Sequence, residues 1–157
     1  MANDYHLDLE GIPGESKDDK FKDKIHITSY GYGVHNPGSA SIGGGAGTGR
    51  STFQDMTFTK SIDKASPKLF LHCATGVHIP KATLFIRKAG TKQQEFYTIK
   101  MTDVLVSSWA DGGHGEDSET FSLNFSQIEV EYKEQKPDGS LGGKVVHKYD
   151  LKKNAGS

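Results

Sequence analysis

The residues whose spacing could support chemistry begin with a glycine-rich loop that ends in an arginine and a serine. Residues 44–51 read GGAGTGRS, which is the nucleotide-binding pattern GxxxxGK[ST] with Arg50 in place of the lysine. That pattern binds phosphate where a helix begins after the loop, because the helix N-terminus directs its N–H groups at the phosphate. The residues that follow, STFQDMTFTK, are instead rich in threonine and typical of a strand. We therefore do not predict a nucleotide site here.

Two groups of side chains in the sequence include residue types that bind metals. His72 and His78 supply only two candidate ligands, so hydrogen-bonded structural histidines are the preferred interpretation. Asp111, His114 and Asp117 lie on a glycine-rich segment, where three weak ligands would be poorly preorganised. We expect that segment to be a solvated tip and predict no metal.

No catalytic arrangement is recognisable elsewhere in the chain. The carboxylates near Glu119 lie in a polar segment without the apolar surroundings that tune a general acid, and no serine lies in a GxSxG motif. The single cysteine, Cys73, excludes an internal disulfide and a cysteine-based zinc site, and its apolar neighbours predict a small buried side chain. We predict neither an enzyme nor a bound cofactor.

The bulk properties favour one globular domain over residues 1–157. The net charge is -1, so no global basic field would attract nucleic acid. Residues 1–15 lack the apolar core of a signal peptide, and no run approaches the roughly 18 apolar residues of a membrane span. We expect the protein to fold in the cytoplasm without membrane insertion, which is compatible with export by a route that needs no cleavable signal.

The hydrophobic pattern predicts a mainly β protein, either a β-barrel or a two-sheet sandwich. About eight alternating segments are separated by turns, and the alternation changes phase near Ser29 and at residues 126–127, which predicts bends or bulges there. One helix is predicted at about residues 64–75, with Ser66 as its cap, Pro67 in the first turn and Gly76 as the terminator. Because that helix is apolar on most sides, we expect it to be buried between the sheets.

A long glycine-dense loop interrupts this pattern at residues 36–49. Such a segment cannot build its own core, since glycine loses the most backbone freedom on ordering and contributes no side chain. It is also long for a connection inside a compact domain. Either the loop is disordered or something outside its own domain orders it.

Several segments, in order along nearly the whole chain, resemble the haemolysin co-regulated protein family, Hcp. These segments are GESKD at residues 14–18, GGGAGTG at 43–49, DMTFTKSIDKASPKL at 55–69, HCATGVHIPKATLFIRKAG at 72–90, VLVSS at 104–108 and LNFSQIEVEY at 123–132. The resemblance implies the tube protein of the bacterial type VI secretion system, used in virulence and bacterial competition. It implies small two-sheet β-barrels with one helix that assemble into six-membered rings.

The resemblance also implies partners and contact residues. The rings would stack inside a contractile sheath, be expelled with a tip spike protein, and hold or chaperone small effectors in the lumen. The glycine-rich loop would dock on the adjacent subunit through Gly38, Ile42, Gly43, Gly44, Gly45, Gly47, Gly49 and Arg50. Ser107 and His114 are the candidate lumen contacts. The alternative is a monomeric β-barrel that binds a small ligand, although we expect the helix and the apolar strand faces to fill its interior.

Overall fold

Strands dominate the part of the chain that the structure describes. The computed structural model describes residues 3–38, 51–88, 94–113 and 117–157. Its elements in chain order are β1 (Asn3–Leu9), β2 (Ile25–Ile27), β3 (Ser29–Gly31), β4 (Val34–His35), β5 (Thr52–Phe53), β6 (Met56–Lys60), α1 (Ser66–Thr75), β7 (Ile79–Lys88), β8 (Glu95–Gly113), β9 (Asp117–Gln135), β10 (Leu141–Asp150) and β11 (Ala155–Gly156).

The two long strands β8 and β9 form the frame of the fold and pair along almost their whole length. The other edge of β9 changes partner, from β6 along its first half to β10 along its second half. The segment before β4 makes a similar change, because β2 pairs with β1 whereas β3 pairs with β6. The sheet order β11-β10-β9-β8-β7-β1-β2 therefore continues into a second layer of β6 and β3. This confirms the mainly β, two-layer prediction.

Both predicted bends are present, but one bulge lies on the neighbouring strand. The first bend falls at Thr28, between β2 and β3. On β9 the buried face changes phase between Phe125 and Ile128, where its partner changes from β6 to β10. The β8–β9 register is continuous there and shifts instead between Val106 and Ser108. The corner prediction is thus confirmed, and the extra residue belongs to β8.

One hydrophobic core fills the space between the layers. Its members come from β1, β2, β6, α1, β7, β8 and β9, and include Leu7, Ile25, Ile27, Met56, Phe58, Leu69, Leu84, Ile99, Val104, Phe121 and Leu123. Alternate residues of these strands supply the core, because successive side chains of a strand point to opposite faces. Phe58 and Phe121 stack across the β6–β9 pair with their ring centroids 5.0 Å apart.

The helix α1 ends as predicted but begins with a different cap. Gly76 has φ 71° and its N–H donates to the carbonyl oxygen of His72 at 2.9 Å, the left-handed terminator that glycine favours. The N-cap residue is Ala65, which makes no side-chain cap hydrogen bond. The Oγ of Ser66, predicted as the cap, instead accepts from the backbone N–H of Asp63 at 3.0 Å. The Ser66 hydroxyl therefore stabilises the turn that precedes the helix and does not cap it.

The burial of α1 is limited to one face. Leu69 is fully buried, whereas Phe70 and Leu71 are 53% and 55% exposed, although the sequence predicted burial on most sides. Cys73 is half-buried and packs at the margin of the core, so it is less enclosed than predicted. The helix packs against β8 from one side and leaves an apolar outer surface.

Candidate assembly surfaces

A two-stranded ribbon forms the base of the glycine-rich loop. Its strands β4 and β5 pair through Val34 with Phe53 and His35 with Thr52, and among the described residues they pair with each other alone. Gly38 follows with φ 68°, and its N–H donates to Oδ1 of Asn36 at 3.1 Å. Of the eight loop residues predicted at a subunit interface, Gly38 is thus placed beside the ribbon, and the other seven, from Ile42 to Arg50, lie outside the described residues.

An open apolar groove of about 490 Å³, here the ribbon groove, lies between this ribbon and the sheet. The ring of Phe53 packs against Tyr149 at 5.1 Å between centroids, while Val34 is 58% exposed. Burial, with a hydrogen bond to Tyr97, raises the pKa of Tyr32 above its ordinary value. The ribbon groove is lined by Tyr32, Val34, Phe53, Ile128, Val130, His147, Lys148, Tyr149, Gly156 and Ser157.

A second apolar surface, here the helix patch, lies beside the start of α1. The ring of Phe70 meets that of Trp109 edge to face, with the centroids 5.5 Å apart. Ile62 is 47% exposed beside them. The hollow between these side chains measures about 450 Å³, and its lining is Ile62, Asp63, Ser66, Pro67, Phe70, Trp109 and Asp111. Exposed aromatic and aliphatic side chains grouped in this way are typical of contact sites.

A buried cluster of charges supports the helix patch from below. Lys60 is fully buried and its ammonium group pairs with the carboxylate of Glu119 and, at 2.7 Å, with that of Asp63. It also donates to Oγ of Ser66 at 3.2 Å. The indole N–H of Trp109 donates to Glu119 at 3.2 Å. The cluster therefore ties β6, β9, β8 and the start of α1 together.

Ser107, one of the two predicted lumen contacts, lies at the β8 bulge. Its Oγ donates to Oδ2 of Asp55 at 2.6 Å and meets Oγ of Ser122 at 2.7 Å. The other predicted contact, His114, lies outside the described residues. Ser107 is exposed, but its hydroxyl is already engaged by its own chain.

Next to Ser107 is a broad sheet face of small polar residues, here the hydroxyl face, with the carboxylate of Asp55 at its margin. The β3–β6–β9–β8 register places small polar residues opposite one another across four strands, and residues directly opposite in an antiparallel pair share a face. The members are Ser29, Gly31, Thr57, Thr59, Ser108, Ala110, Gly112, Ser118, Thr120 and Ser122. Most are exposed, with Thr59 half-buried and Ser122 buried.

The outer face of the other layer, here the charged face, has the opposite character. Asp8, Thr83, Lys100, Glu129 and Lys148 lie in one row across β1, β7, β8, β9 and β10. The ammonium group of Lys100 lies 3.7 Å from the carboxylate of Glu129. The two layers of the sandwich thus present chemically different surfaces.

A second buried ionic cluster fixes the segment that precedes β2. The guanidinium of Arg87 pairs with Asp4 at 2.7 Å and forms a two-pronged contact with Asp18. Hydrogen bonds from Arg87 hold the pKa of Asp18 well below its ordinary value. Sequence reasoning missed this cluster because Arg87 and Asp18 are 69 residues apart. It missed the Lys60 cluster for the same reason, since Lys60 and Glu119 are also far apart in the sequence. The available signal was Lys60 at a core position of its strand, in phase with Met56 and Phe58, whereas Arg87 lies on the opposite face from the core residues of β7 and gave no such signal.

His72 and His78 each have a hydrogen-bond partner within the protein. Nδ1 of His72 is 2.8 Å from the carbonyl oxygen of Lys68, and Nδ1 of His78 is 2.7 Å from Asp103. Hydrogen bonds from His78, Lys152 and Ser126 hold the pKa of Asp103 below its ordinary range. Among the described residues no group of three metal-ligating side chains occurs. In the same part of the chain, no helix is long and apolar enough to cross a membrane.

Comparison with known proteins gives a consistent result. Residues 6–132 match the family model described as type VI secretion system effector, Hcp. The Pseudomonas aeruginosa protein hcp1 is 42% identical over 159 residues, which covers 98% of each chain. A solved structure of a type six secretion system protein superposes with a TM-score of 0.91 at 30% identity, covering 99% of this chain and 100% of that one. The crystal structure of Hcp1 from Salmonella typhimurium gives 0.84 at 34% identity, covering 100% of both chains.

Proposed function

Because this chain belongs to the Hcp family of the type VI secretion system, we propose that it is a non-catalytic, self-assembling subunit of the secretion tube. Six copies form a ring, and rings stack into a tube that sheath contraction expels with a spike at its tip. The protein folds in the cytoplasm as one domain and is then secreted by a route that needs no cleavable signal. Small effector proteins travel in the lumen, which shelters them.

The observation that carries this proposal is the hydroxyl face together with its two free edges. Within the described residues β3 pairs with β6 alone, and β8 beyond Val104 pairs with β9 alone. A sheet with free edges invites pairing with another chain. Because the two edges differ, copies joined edge to edge make a heterologous contact that closes into a ring if the rotation fits. We infer that such a ring turns its hydroxyl faces toward the channel.

The chemistry of the hydroxyl face suits a channel that carries proteins. Serine and threonine hydroxyls both donate and accept hydrogen bonds, so they solvate a passing surface without selecting its charge. The charged face would instead attract oppositely charged proteins and hold them. Ser107 lies at the margin of the hydroxyl face, and with His114 it remains our proposed effector contact.

The glycine-rich loop completes the proposed assembly. The β4–β5 ribbon delivers the chain to and from residues 39–50, next to exposed Val34 and the ribbon groove. We propose that Gly38 and the predicted residues from Ile42 to Arg50 form the arm that contacts the neighbouring subunit. Contact with a neighbour would supply the core that the loop cannot build for itself.

The test of self-assembly is the mass and shape of the protein in solution. Sedimentation velocity should give a species of six times the chain mass of 17.1 kDa, and negative-stain images should show rings with a central hole. A monomer at all concentrations would contradict ring formation and favour the alternative, a monomeric ligand-binding β-barrel. That alternative has less support because the interior is filled by a continuous apolar core.

The lumen assignment has its own test, which uses a matched pair of substitutions. Thr120→Arg places a cation on the hydroxyl face, and Thr102→Arg places the same cation on the other layer, at an equally exposed position. Recovery of co-expressed effector should change for Thr120→Arg and stay the same for Thr102→Arg. Unchanged recovery for His114→Arg would remove the segment around His114 from the proposed contact.

A further inference from the structure

Two apolar surfaces of the molecule lie at opposite ends of the same strands. The ribbon groove includes Phe53, just before β6, whereas the helix patch includes Ile62, just after it. On β9 the groove residue Val130 follows Phe121, which pairs with the patch residue Trp109, by about 30 Å of strand at ~3.3 Å per residue. Since one chain cannot bring these surfaces together, each needs a partner from elsewhere.

The shapes and side chains of the two surfaces are complementary. The groove has an open wall of aliphatic and aromatic side chains, and the patch presents the protruding side chains of Ile62 and Phe70, which are 47% and 53% exposed. Aromatic anchors that enter a pocket are the usual energetic centre of a protein interface. Val34, at the mouth of the groove, is itself 58% exposed.

The polar groups at the margins of the two surfaces are also complementary. His147 lines the ribbon groove, can donate a hydrogen bond to a carboxylate, and has no ion-pair partner among the described residues. Asp63 and Asp111 line the helix patch, and Asp111 likewise has no ion-pair partner in the described part of the chain. Below the patch the two carboxylates of Asp63 and Glu119 face the single ammonium group of Lys60, so negative charge is in excess. Opposite potentials of this kind favour one orientation of docking.

We propose that the helix patch of one copy docks into the ribbon groove of a second copy, as a head-to-tail contact. This inference rests on the proposed self-assembly and adds which two surfaces meet. The contact is heterologous, because different surfaces of each copy are used, so it propagates from copy to copy. The occupant of the groove is a second copy because the complementary patch is present on the same chain.

Site-directed cross-linking tests this contact directly. Two variants, Ile62→Cys and Val34→Cys, are made in a Cys73→Ser background so that each chain has one thiol. A disulfide requires Cβ atoms about 4 Å apart, so it reports a specific contact. On mild oxidation the mixture of the two variants should give a covalent dimer, and each variant alone should stay monomeric on a non-reducing gel. A second pair, Phe70→Cys with Phe53→Cys, samples the same contact at another point.

The matched control uses two apolar positions of similar exposure outside both surfaces. Val77 is 53% exposed and Val145 is 58% exposed, so Val77→Cys mixed with Val145→Cys should give no dimer. If neither test pair gives a dimer while the unmodified protein still forms rings, this contact is wrong and the proposed function stands. A monomeric unmodified protein that also fails to cross-link would overturn both.

Charge exchange gives an independent readout of the same contact. Asp111→Lys should reduce the yield of the Ile62–Val34 cross-link several-fold, because it replaces the carboxylate that would meet His147 with an ammonium group. Adding His147→Asp on the other chain should restore that yield. Equal yields in all three combinations would contradict the assigned orientation.

Discussion

Replacing Lys60 with methionine should destabilise the protein strongly, because it removes the ammonium group from a fully buried cluster. Among the described residues, Glu119 would keep only the indole N–H of Trp109 as a partner, at 3.2 Å, while its side chain stays completely buried. Removing one partner of a buried ion pair costs about 3–5 kcal/mol. For a domain of this size each kcal/mol lowers Tm by about 2–4 °C, so we expect a decrease of roughly 6–20 °C.

The measurement is urea unfolding followed by the fluorescence of Trp109, the only tryptophan of the chain, which contacts the cluster itself. Protein concentration is held low and constant, because self-association would add to the apparent stability. The control is Lys64→Met, the same substitution at a nearby exposed lysine, with an expected change within about 0.5 kcal/mol.

A double variant separates the unpaired charge from lost packing. Lys60→Met with Glu119→Gln leaves a neutral amide that still accepts from Trp109, so we expect it to regain at least half of the lost free energy of unfolding. A loss below about 1 kcal/mol for Lys60→Met would refute the buried-pair argument. A double variant as unstable as the single one would show instead that packing of the lysine stem matters.

Two further substitutions test contacts that fix the segment before β2. Gly14→Ala should lower the free energy of unfolding by about 1–3 kcal/mol, because the added Cβ would lie 2.5 Å from the carbonyl oxygen of Lys24. The control is Gly112→Ala, whose Cβ would meet nothing within 4 Å. In the same urea assay this control should be nearly neutral. Asp18→Asn should destabilise the protein at pH 7 by removing the ion pair with Arg87. Because the pKa of Asp18 is lowered in the folded state, its contribution is complete above the unfolded pKa and is lost as the pH falls through the folded pKa. The two stability curves should therefore begin to converge below about pH 4 and meet only at a much lower pH.

Local rules predicted the elements that depend on neighbouring residues. Pro67 and Gly76 lie in the first turn and at the end of α1 because their backbone preferences are set within a few residues. Alternation likewise located most strands. From the sequence, the alternation predicts one strand at Glu95–Met101 and another at Asp103–Trp109, whereas the structure has one continuous strand in which Asp103 adopts φ 53°. A single left-handed residue bends a strand without ending it, and nothing in the alternation distinguishes the two cases.

Contacts between distant residues were beyond these rules. The Lys60 and Arg87 clusters each depend on strand pairing between distant parts of the chain, which places Lys60 opposite Glu119 and Arg87 opposite Asp4. The exposed side of α1 was also missed, because an apolar sequence is the same for a fully buried helix and for a helix with an exposed apolar face. The hydroxyl face required the register of four strands, which joins residues from Ser29 to Ser122.

The contrast between the two sheet faces determines how a copy should sit in a ring. On the charged face, Lys100 and Glu129 and also Lys24 and Asp8 form exposed pairs within one chain, and such pairs contribute only about 0–1 kcal/mol each. These charged residues therefore contribute to solubility rather than to stability, as expected for a surface in contact with water or another protein. If that face lined a channel, six copies would confine the same charges in a small space and bind any cargo of complementary charge. The hydroxyl face avoids this cost, so the proposed channel follows from the distribution of charge over the fold.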